Sequence, residues 1–291
     1  MTNYVGRFAP SPSGPLHFGS VVTAVASYLE ARSQSGTWLV RIEDIDPPRE
    51  QPGASRAILN TLMALGLEWD GQVTYQSRRS RAYDDALERL HEASLTFPCS
   101  CTRKELAGGP YPGTCRDGRD CAKPARTLRV RIGHGSILFN DVIQGRFSSH
   151  RQSIGDFVLL RADGLYAYHL AVVVDDAASG VTEVVRGVDL LESTTQQIFL
   201  QGVLGYTTPG YAHIPLVLDE SGSKLSKQTF AAPIDESRPS SVLFNALVFL
   251  GQSPLAELVD ANPQEVLDWA VQNWQIRSVA KQSKASQPIL I

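Results

Sequence analysis

The sequence lacks the features that mark membrane-bound and secreted proteins. No apolar run approaches the roughly 18 residues of a membrane-spanning helix, and the segment Met1-Thr2-Asn3-Tyr4 shows no basic region followed by an apolar stretch. An excess of positive charge is also missing, since 27 lysines and arginines face 30 aspartates and glutamates and the net charge is −3. These absences predict a cytoplasmic protein whose contact with any nucleic acid is local.

Two groups of basic residues are candidates for such a local contact. The first group lies at and just before the predicted helix at 81–93, and the second near the end of the chain: Arg78, Arg79, Arg81 and Arg89, then Lys281 and Lys284. A solvated helix face and a frayed terminus are the alternative interpretations.

Cysteine is scarce, and all four cysteines lie between Cys99 and Cys121. In a cytoplasmic chain such clustering favours a metal site over disulfides. By spacing alone, the four thiols predict a tetrahedral zinc site made of Cys99, Cys101, Cys115 and Cys121. Four reduced cysteines without a metal are the alternative.

The remaining composition is that of an ordinary globular protein, with 43% hydrophobic and 20% charged residues. The length of 291 residues predicts about two domains, or one large domain with an insertion. Predicted strands and helices alternate along the chain, which indicates a parallel α/β sheet. The strands are expected at 4–8, 38–42, 157–160, 181–185 and 214–218, and the helices from His17 and at 54–65, 81–93, 190–204, 240–250 and 263–273.

The segment that carries the cysteines interrupts this alternation. It is rich in glycine and proline, and it is followed by strand-like segments at 128–132 and 137–143 that predict a small subdomain. The last residues, 283–291, are expected to be loosely held, with docking of their apolar end as the alternative.

Two short segments indicate chemistry with ATP: His17-Phe18-Gly19-Ser20 and Lys224-Leu225-Ser226-Lys227-Gln228. The first opens a predicted helix, whose N-terminus offers free N–H groups and a positive dipole end to phosphates. His17 can donate to a phosphate, and Gly19 lets a nucleotide approach the backbone. Lys224 and Lys227, in a polar loop, can close over a triphosphate and neutralise its transition state. A helix-capping or core histidine and a solvated turn are the alternatives.

The two segments are similar to the HIGH and KMSKS signatures of class I aminoacyl-tRNA synthetases, and other motifs narrow the resemblance to glutamyl-tRNA synthetases. Ser20 departs from the signature, which has a second histidine there. The further motifs follow in the family's order and lie at 7–17, 40–46, 173–176, 185–191 and 224–227. The resemblance implies an α/β fold with a Rossmann-type catalytic domain.

The same resemblance implies a division of the chain into four segments. Residues 1–95 and 155–235 would form the two halves of the catalytic domain, the second with the lysine loop. Residues 96–154 would be an inserted zinc-bearing, acceptor-binding-like subdomain. Residues 236–291 would be a short helical region, and the small number of residues after Lys227 is expected to leave no room for an anticodon-binding domain.

The segments 17–20, 45–50 and 224–228 resemble a narrower branch, the glutamyl-Q tRNA(Asp) synthetases. This resemblance implies ATP-dependent activation of L-glutamate as glutamyl-adenylate, with Mg²⁺, and transfer to the queuosine base in the anticodon of tRNA(Asp). It also implies a monomer. The alternatives are a compact glutamyl-tRNA synthetase that charges a 3′ end, a catalytically inactive zinc-bearing RNA-binding protein, and a nucleotidyltransferase of the wider HIGH superfamily.

Glutamate carries one ammonium and two carboxylates, so its site must supply a buried anion and at least one arginine. The family motifs imply that Glu43 receives the ammonium and that Tyr168 and Arg186 hold a carboxylate together with Arg7. A surface position for Arg7, core packing of Tyr168, and Asp44 or Asp46 in place of Glu43 stay open. The implied site residues are Arg7, Phe8, Ala9, Pro10, Ser11, Glu43, Tyr168 and Arg186 for glutamate, His17, Gly19, Ser20, Lys224 and Lys227 for ATP, and His17 and Lys227 for catalysis.

The resemblance also implies a different metal site. The segment 111–116 is similar to the branch's Tyr-x-Gly-x-Cys-Arg stretch, which makes Tyr111 the fourth ligand beside Cys99, Cys101 and Cys115. Cys121 would then be a spare thiol. The zinc would be structural and would pin an insertion that has little core of its own.

Overall fold

The computed structural model describes residues 3–102, 104–106, 108–118, 124–218, 234–281 and 284–286. The predicted ATP-loop residues Lys224 and Lys227 and the fourth cysteine, Cys121, lie outside the described residues. The helices are α1 (Phe18–Ser33), α2 (Ala54–Ala64), α3 (Ser80–Glu92), α4 (Arg151–Ile154), α5 (Tyr168–Ala178), α6 (Ser193–Leu204), α7 (Pro239–Phe249) and α8 (Pro263–Asn273). The strands are β1 (Val5–Phe8), β2 (Thr37–Ile42), β3 (Thr74–Tyr75), β4 (Thr96–Cys99), β5 (Thr127–Val130), β6 (Ser136–Asp141), β7 (Gly145–His150), β8 (Val158–Leu160), β9 (Glu183–Gly187), β10 (Gly210–Ile214), β11 (Leu216–Leu218) and β12 (Lys284–Ser286).

Parallel strands organise the part of the fold that the sequence predicted as α/β. β1 pairs in parallel with β2, and β2 with β3, while β9 pairs in parallel with β10. The two sheets meet at β1 and β9, because Val5 N–H donates to Thr182 Oγ1 and Thr182 N–H donates to Val5 O, both at 2.9 Å. The carboxyl ends of β1, β2 and β9 therefore meet at one edge, the usual place of ligand sites in open α/β sheets.

Helix α1 is the centre of the main core. Its residues Val21, Val22, Val25 and Leu29 recur at helical spacing and are fully buried. They pack with β1, β2 and the C-terminal helices α7 and α8 into one cluster. The C-terminal helices thus lie against α1 and complete its burial.

A second core lies between α3, α5 and α6. The apolar residues of these helices, among them Tyr83, Leu90, Leu170 and Phe199, form one cluster with residues of β5, β6 and β8. Among the helices that the structure describes, none is both long and apolar enough to cross a membrane.

Three features of the sheets were not predicted from the sequence. The segments predicted as strands of one small subdomain join different sheets: β5 lies between β4 and β8, whereas β6 lies between β7 and β10. The segment 214–218 is two strands, β10 and β11. The end of the chain is not entirely loose, because β12 pairs in parallel with β11. Alternation of apolar residues reveals a strand but not its partner.

Helix α8 begins with a capping box that the structure makes explicit. The Asn262 side chain accepts the backbone N–H of Gln264 at 2.9 Å, and Glu265 Oε2 accepts the backbone N–H of Asn262 at 3.1 Å. Pro263 follows as the first helical residue, where its missing N–H costs nothing.

We expect Asn262→Ala to lower the free energy of unfolding by about 1 kcal/mol, because the cap loses its side-chain acceptor. Urea unfolding followed by circular dichroism measures the change. Gln272→Ala, at an exposed position of the same helix, is the control and should leave stability within about 0.5 kcal/mol. Equal stability of the Asn262 variant and wild type would contradict the capping argument.

Candidate active site

A cavity of about 530 Å³ opens at the carboxyl edge of β1 and β9. It brings together residues that are far apart in sequence, including ten of the residues predicted for the glutamate and ATP sites. These are Arg7, Phe8, Ala9, Pro10, Ser11, His17, Gly19, Ser20, Tyr168 and Arg186. The loop after β1, the start of α1 and the end of β9 therefore share one chamber.

The start of α1 forms one wall of this cavity. His17 is the N-cap residue, and its Nδ1 accepts the backbone N–H of Ser20 at 3.2 Å while Ser20 Oγ lies 3.1 Å from Nε2. A Cβ on Gly19 would lie 3.2 Å from His17 Nδ1 and 3.5 Å from Val217 Cβ, so the missing side chain leaves room for the imidazole ring. His17 thus caps its helix, as the alternative interpretation held, and also lines the cavity. Ser20 serves the same cap.

Four buried charged side chains form one cluster that borders the cavity through Arg7, and we call them the Arg7–Asp176 network: Arg7, Arg41, Glu43 and Asp176. Arg7 donates to both oxygens of Asp176 at 3.2 and 3.4 Å, and Arg41 Nη1 donates to Asp176 Oδ1 at 2.6 Å. Arg41 Nη2 also donates to Glu43 at 3.3 Å. Burial by itself would raise the pKa of Asp176, but Arg41 and Arg7 outweigh it and hold this pKa below its usual value.

Asp175 extends the network on its other side. It accepts hydrogen bonds from Gln76 Nε2 at 2.7 Å and Tyr83 Oη at 2.8 Å, and it pairs with Arg79. Arg79, a predicted candidate for nucleic-acid contact, is partly exposed and pairs with this buried cluster. Arg89 is exposed and contacts Leu204 O and the Tyr206 ring, so its predicted nucleic-acid contact stays a prediction.

Glu43 is the buried member of three neighbouring acids. It is 8% exposed, whereas Asp44 accepts hydrogen bonds from Ser77 at the surface and Asp46 pairs with Arg49. Burial raises the pKa of Glu43 against the opposing effect of Arg41. A carboxylate in this situation is stabilised by an added cation.

Glu43 faces a smaller adjoining cavity of about 90 Å³. Ser11, Ser13, Arg49 and Tyr168 line both cavities. Burial, with the Glu43 carboxylate adding to it, raises the pKa of Tyr168 and keeps its phenol protonated. Tyr168 therefore lies where it can contact groups in either space.

Arg186 stands at the end of β9 with two of its nitrogens already engaged. Nε donates to His213 Nε2 at 3.1 Å, and Nη2 donates to Thr194 Oγ1 at 2.7 Å. Nη1 is buried and has no hydrogen-bond partner among the described residues. An unpaired buried guanidinium nitrogen is costly, so this nitrogen is available to an acceptor that enters the site.

Several residues that shape the site received no role in the sequence analysis: Arg41, Asp175, Asp176, Asp141 and His213. The pair Asp175 and Asp176 was quoted as part of a motif, and it follows an apolar run in what is now α5. Two acids that continue a buried helix require nearby cations or donors. That signal indicates a buried charge network, although the partners cannot be read from it.

The predicted metal ligands form a second cluster, away from the cavity. The sulfur atoms of Cys99, Cys101 and Cys115 all lie within 4.8 Å of one another. Tyr111 Oη lies 3.4 Å from Cys99 Sγ and 3.8 Å from Cys101 Sγ, and it accepts the backbone N–H of Cys115 at 2.7 Å. Three thiols and one phenol oxygen at these separations can hold a metal ion.

The chain matches the family model described as tRNA synthetases class I (E and Q), catalytic domain, over residues 4–109 and 115–283. It is 53% identical to the glutamyl-Q tRNA(Asp) synthetase of Aromatoleum aromaticum, over 98% of this chain and 93% of that protein. It is 52% identical to the protein of that name from Dechloromonas aromatica, over 96% of this chain and 97% of the relative.

Solved structures give the same family at lower identity. The glutamate-tRNA synthetase of Elizabethkingia anophelis superposes with a TM-score of 0.82 at 26% identity, over 99% of this chain and 68% of that one. A glutamate tRNA ligase of Elizabethkingia meningosepticum, crystallised with its amino acid, gives a TM-score of 0.81 at 26% identity, over 99% and 67% of the two chains. The fold is thus that of a class I synthetase catalytic domain with mixed α/β sheets.

We expect Asp176→Asn to lower the free energy of unfolding at pH 7 by roughly 3–5 kcal/mol, because Arg7 and Arg41 lose their buried counter-charge. The lowered pKa means that the Asp176 contribution is present above the unfolded value near pH 4 and is lost as pH falls through the folded value. The difference between variant and wild type should therefore shrink only below about pH 4. Denaturant unfolding at a series of pH values measures it.

Asp163→Asn is the control for this prediction, since Asp163 pairs with Arg161 at 2.7 Å on the surface. It should change stability by no more than about 1 kcal/mol. A difference for Asp176→Asn that is as small as the control, or one that grows on acidification, would contradict the role of the network.

Proposed function

The chain belongs to the class I tRNA synthetases of the E and Q type, which are ligases, and on that premise we propose that it glutamylates a tRNA anticodon. ATP activates L-glutamate as glutamyl-adenylate, and the glutamyl group passes to the queuosine base of tRNA(Asp). The names of the relatives that match at about 50% identity over nearly the full chain support the acceptor. The geometry of the cavity supports the amino acid.

The charge arrangement around the cavity carries the proposal for glutamate. Arg186, with its unpaired Nη1, and Arg7 lie on the cavity that Tyr168 also lines. Glu43 lies on the adjoining side of Tyr168 and is buried with a raised pKa. An amino acid with two carboxylates and one ammonium complements this set, because the arginines receive a carboxylate and Glu43 receives the ammonium. Phe8, Ala9, Pro10 and Ser11 complete the wall.

The start of α1 is the proposed site for the phosphates of ATP, with Mg²⁺ bound to them. The helix N-terminus provides backbone N–H groups and a positive dipole end. His17, Gly19 and Ser20 stand at that end and line the cavity. Lys224 and Lys227, which lie outside the described residues, are proposed to neutralise the phosphates, and His17 and Lys227 to stabilise the transition state.

The reaction has two steps. A carboxylate oxygen of glutamate attacks the α-phosphorus of ATP, the bond to the β-phosphate oxygen breaks, and pyrophosphate leaves. A hydroxyl of the queuosine cyclopentenediol then attacks the glutamyl carbonyl, an ester bond forms, and AMP leaves with the bonding electrons while the hydroxyl proton passes to the surroundings. Arg7, Arg186 and Glu43 would keep the amino acid oriented through both steps.

We infer that the cysteine cluster binds Zn²⁺ through Cys99, Cys101, Cys115 and Tyr111. Tetrahedral zinc with bonds of about 2.3 Å to sulfur separates two sulfur ligands by about 3.8 Å, and Cys101 and Cys115 Sγ are 3.6 Å apart. The Tyr111 ring is held by Arg129, 4.3 Å from its centre, and by Phe97. The ion would supply a cross-link between the end of β4 and the loop after it.

The domain organisation proposed with this function is the one that the resemblance implies. Residues 1–95 and 155–235 form a Rossmann-type catalytic unit, residues 96–154 an insertion with the metal site, and residues 236–291 a helical region. Strand β6 belongs to the insertion by this division but pairs with β10 of the catalytic unit. The insertion is therefore joined to the catalytic unit by a sheet contact.

The proposed acceptor is tested with ATP, labelled glutamate and four tRNA(Asp) preparations, with and without queuosine and with and without the 3′-terminal adenosine. We expect label on every queuosine-containing tRNA, including the one trimmed at its 3′ end. Label that requires the 3′ adenosine would show charging of the 3′ end. Absence of glutamate-dependent ATP–pyrophosphate exchange in the presence of tRNA would favour an inactive binding protein.

The fourth zinc ligand is tested by comparing Tyr111→Phe with Cys121→Ser. Changes to groups that only support a metal ligand already cost about 10–100-fold in affinity, so loss of the Tyr111 oxygen should cost at least that. Zinc content after dialysis against a weak chelator measures it, and Cys121→Ser should keep its zinc. The opposite result would favour the four-thiolate site.

A further inference from the structure

A buried aspartate–histidine pair lies directly behind Arg186. Asp141, the last residue of β6, and His213, in β10, have fully buried side chains, and His213 Nδ1 lies 2.5 Å from Asp141 Oδ2. On the other side of the ring, His213 Nε2 lies 3.1 Å from Arg186 Nε. Three side chains from three strands thus form one line that ends at the cavity.

The surroundings of Asp141 keep its carboxylate ionised. Oδ1 accepts three backbone N–H groups, from Ile143 at 3.0 Å, Gln144 at 2.8 Å and His213 at 3.2 Å. Burial opposes ionisation, but the His213 hydrogen bond and these backbone donors outweigh it and lower the pKa of Asp141. Oδ2 stays free of backbone donors and faces the imidazole.

An ionised Asp141 determines the position of the proton on His213. A carboxylate only accepts hydrogen bonds, so Nδ1 of His213 must carry the proton. Burial lowers the pKa of His213 despite the carboxylate, so the ring is neutral and its Nε2 has a free lone pair. That lone pair accepts the N–H of Arg186 Nε. The Thr194 hydroxyl also lies 3.1 Å from Nε2, but it donates to Leu190 O at 3.0 Å.

This arrangement leaves Arg186 in one orientation. Nε is held by His213 and Nη2 by Thr194 Oγ1, while the guanidinium lies 5.5 Å from the centre of the Tyr211 ring. Nη1 is the nitrogen left without a partner among the described residues. A guanidinium fixed at two nitrogens presents the third without further loss of side-chain freedom.

We propose that Asp141 and His213 are positioning residues that hold Arg186 ready for the carboxylate of the amino-acid substrate. The inference rests on the proposed function, in which Arg186 binds glutamate. It adds that a residue of β6, outside the cavity lining, determines affinity for the amino acid through the protonation site of one histidine. Asp141 and His213 act through Arg186 and contact neither substrate.

Asp141→Asn is the sharpest test. Asparagine can keep Oδ1 as the acceptor of the three backbone N–H groups while an amide N–H₂ replaces Oδ2. The amide then donates to His213 Nδ1, the proton moves to Nε2, and two N–H groups face each other at Arg186. We expect KM for glutamate to rise roughly 10- to 100-fold, as when a buried donor loses its acceptor, with KM for ATP unchanged. Glutamate-dependent ATP–pyrophosphate exchange in the presence of tRNA measures both constants.

Two histidine variants give the same answer independently of how well the asparagine variant folds. His213→Gln places an amide oxygen near the position of Nε2 and should keep KM for glutamate within about tenfold of wild type, whereas His213→Leu removes the acceptor and should match Asp141→Asn.

In an Arg186→Lys background, Asp141→Asn should add little, because the guanidinium on which it acts is absent. Additive effects in that background would overturn the proposal.

Asp156→Asn is the matched control. Asp156 is also buried, accepts the backbone N–H of Ile132 at 2.9 Å and pairs with Arg116, but it does not line the cavity. It should leave both KM values unchanged. An equal rise of both KM values in Asp141→Asn, or no rise, would overturn the positioning role while leaving the proposed function intact. Wild-type protein without glutamate-dependent exchange would overturn the proposed function and this inference with it.

Discussion

Asp176 lies between two buried arginines, and the arrangement of the site depends on this contact. Its carboxylate binds Arg7 from β1 and Arg41 from β2, and Arg41 in turn reaches Glu43. Helix α5 is thereby attached to both strands by charge as well as by packing. Removal of Asp176 leaves Arg7 without its buried counter-charge and Arg41 with fewer acidic partners, which is costly at buried positions. The network therefore links the position of the amino-acid site to the stability of the fold.

Arg186, at the end of β9, is another buried arginine whose nitrogens need partners. Arg186 has no carboxylate of its own in the described structure; a neutral histidine and a threonine hold it instead. Arg7 pairs directly with Asp176, whereas Arg186 makes no direct ion pair among the described residues and keeps Nη1 without a partner, which favours an anionic ligand at that end. Glu43, buried with a raised pKa, favours a cation at the other end. The polarity of the cavity thus matches an amino acid with an acidic side chain.

Much of the fold was predicted from local sequence patterns, and the prediction failed where long-range pairing decides. The spacing of Val21, Val22, Val25 and Leu29 predicted α1, and the predicted bounds of α8 agree with the observed helix. The pattern did not reveal that β6 joins β10 or that β12 joins β11. The alternation of apolar and polar residues along a strand shows which face is buried. Which strand lies beside it depends on the fold of the rest of the chain.

The sequence by itself determined the residue types of the site and their order: an arginine after the first strand, a histidine at a helix start, a tyrosine, a second arginine and a group of thiols. Their family motifs also determined that the chemistry belongs to the class I synthetases. Only the tertiary structure decided which acids compensate the arginines, that His17 caps its helix with Ser20, and that Asp141 and His213 stand behind Arg186. The physical reason is that burial makes each charge require a specific partner, and those partners come from strands and helices that are distant in sequence.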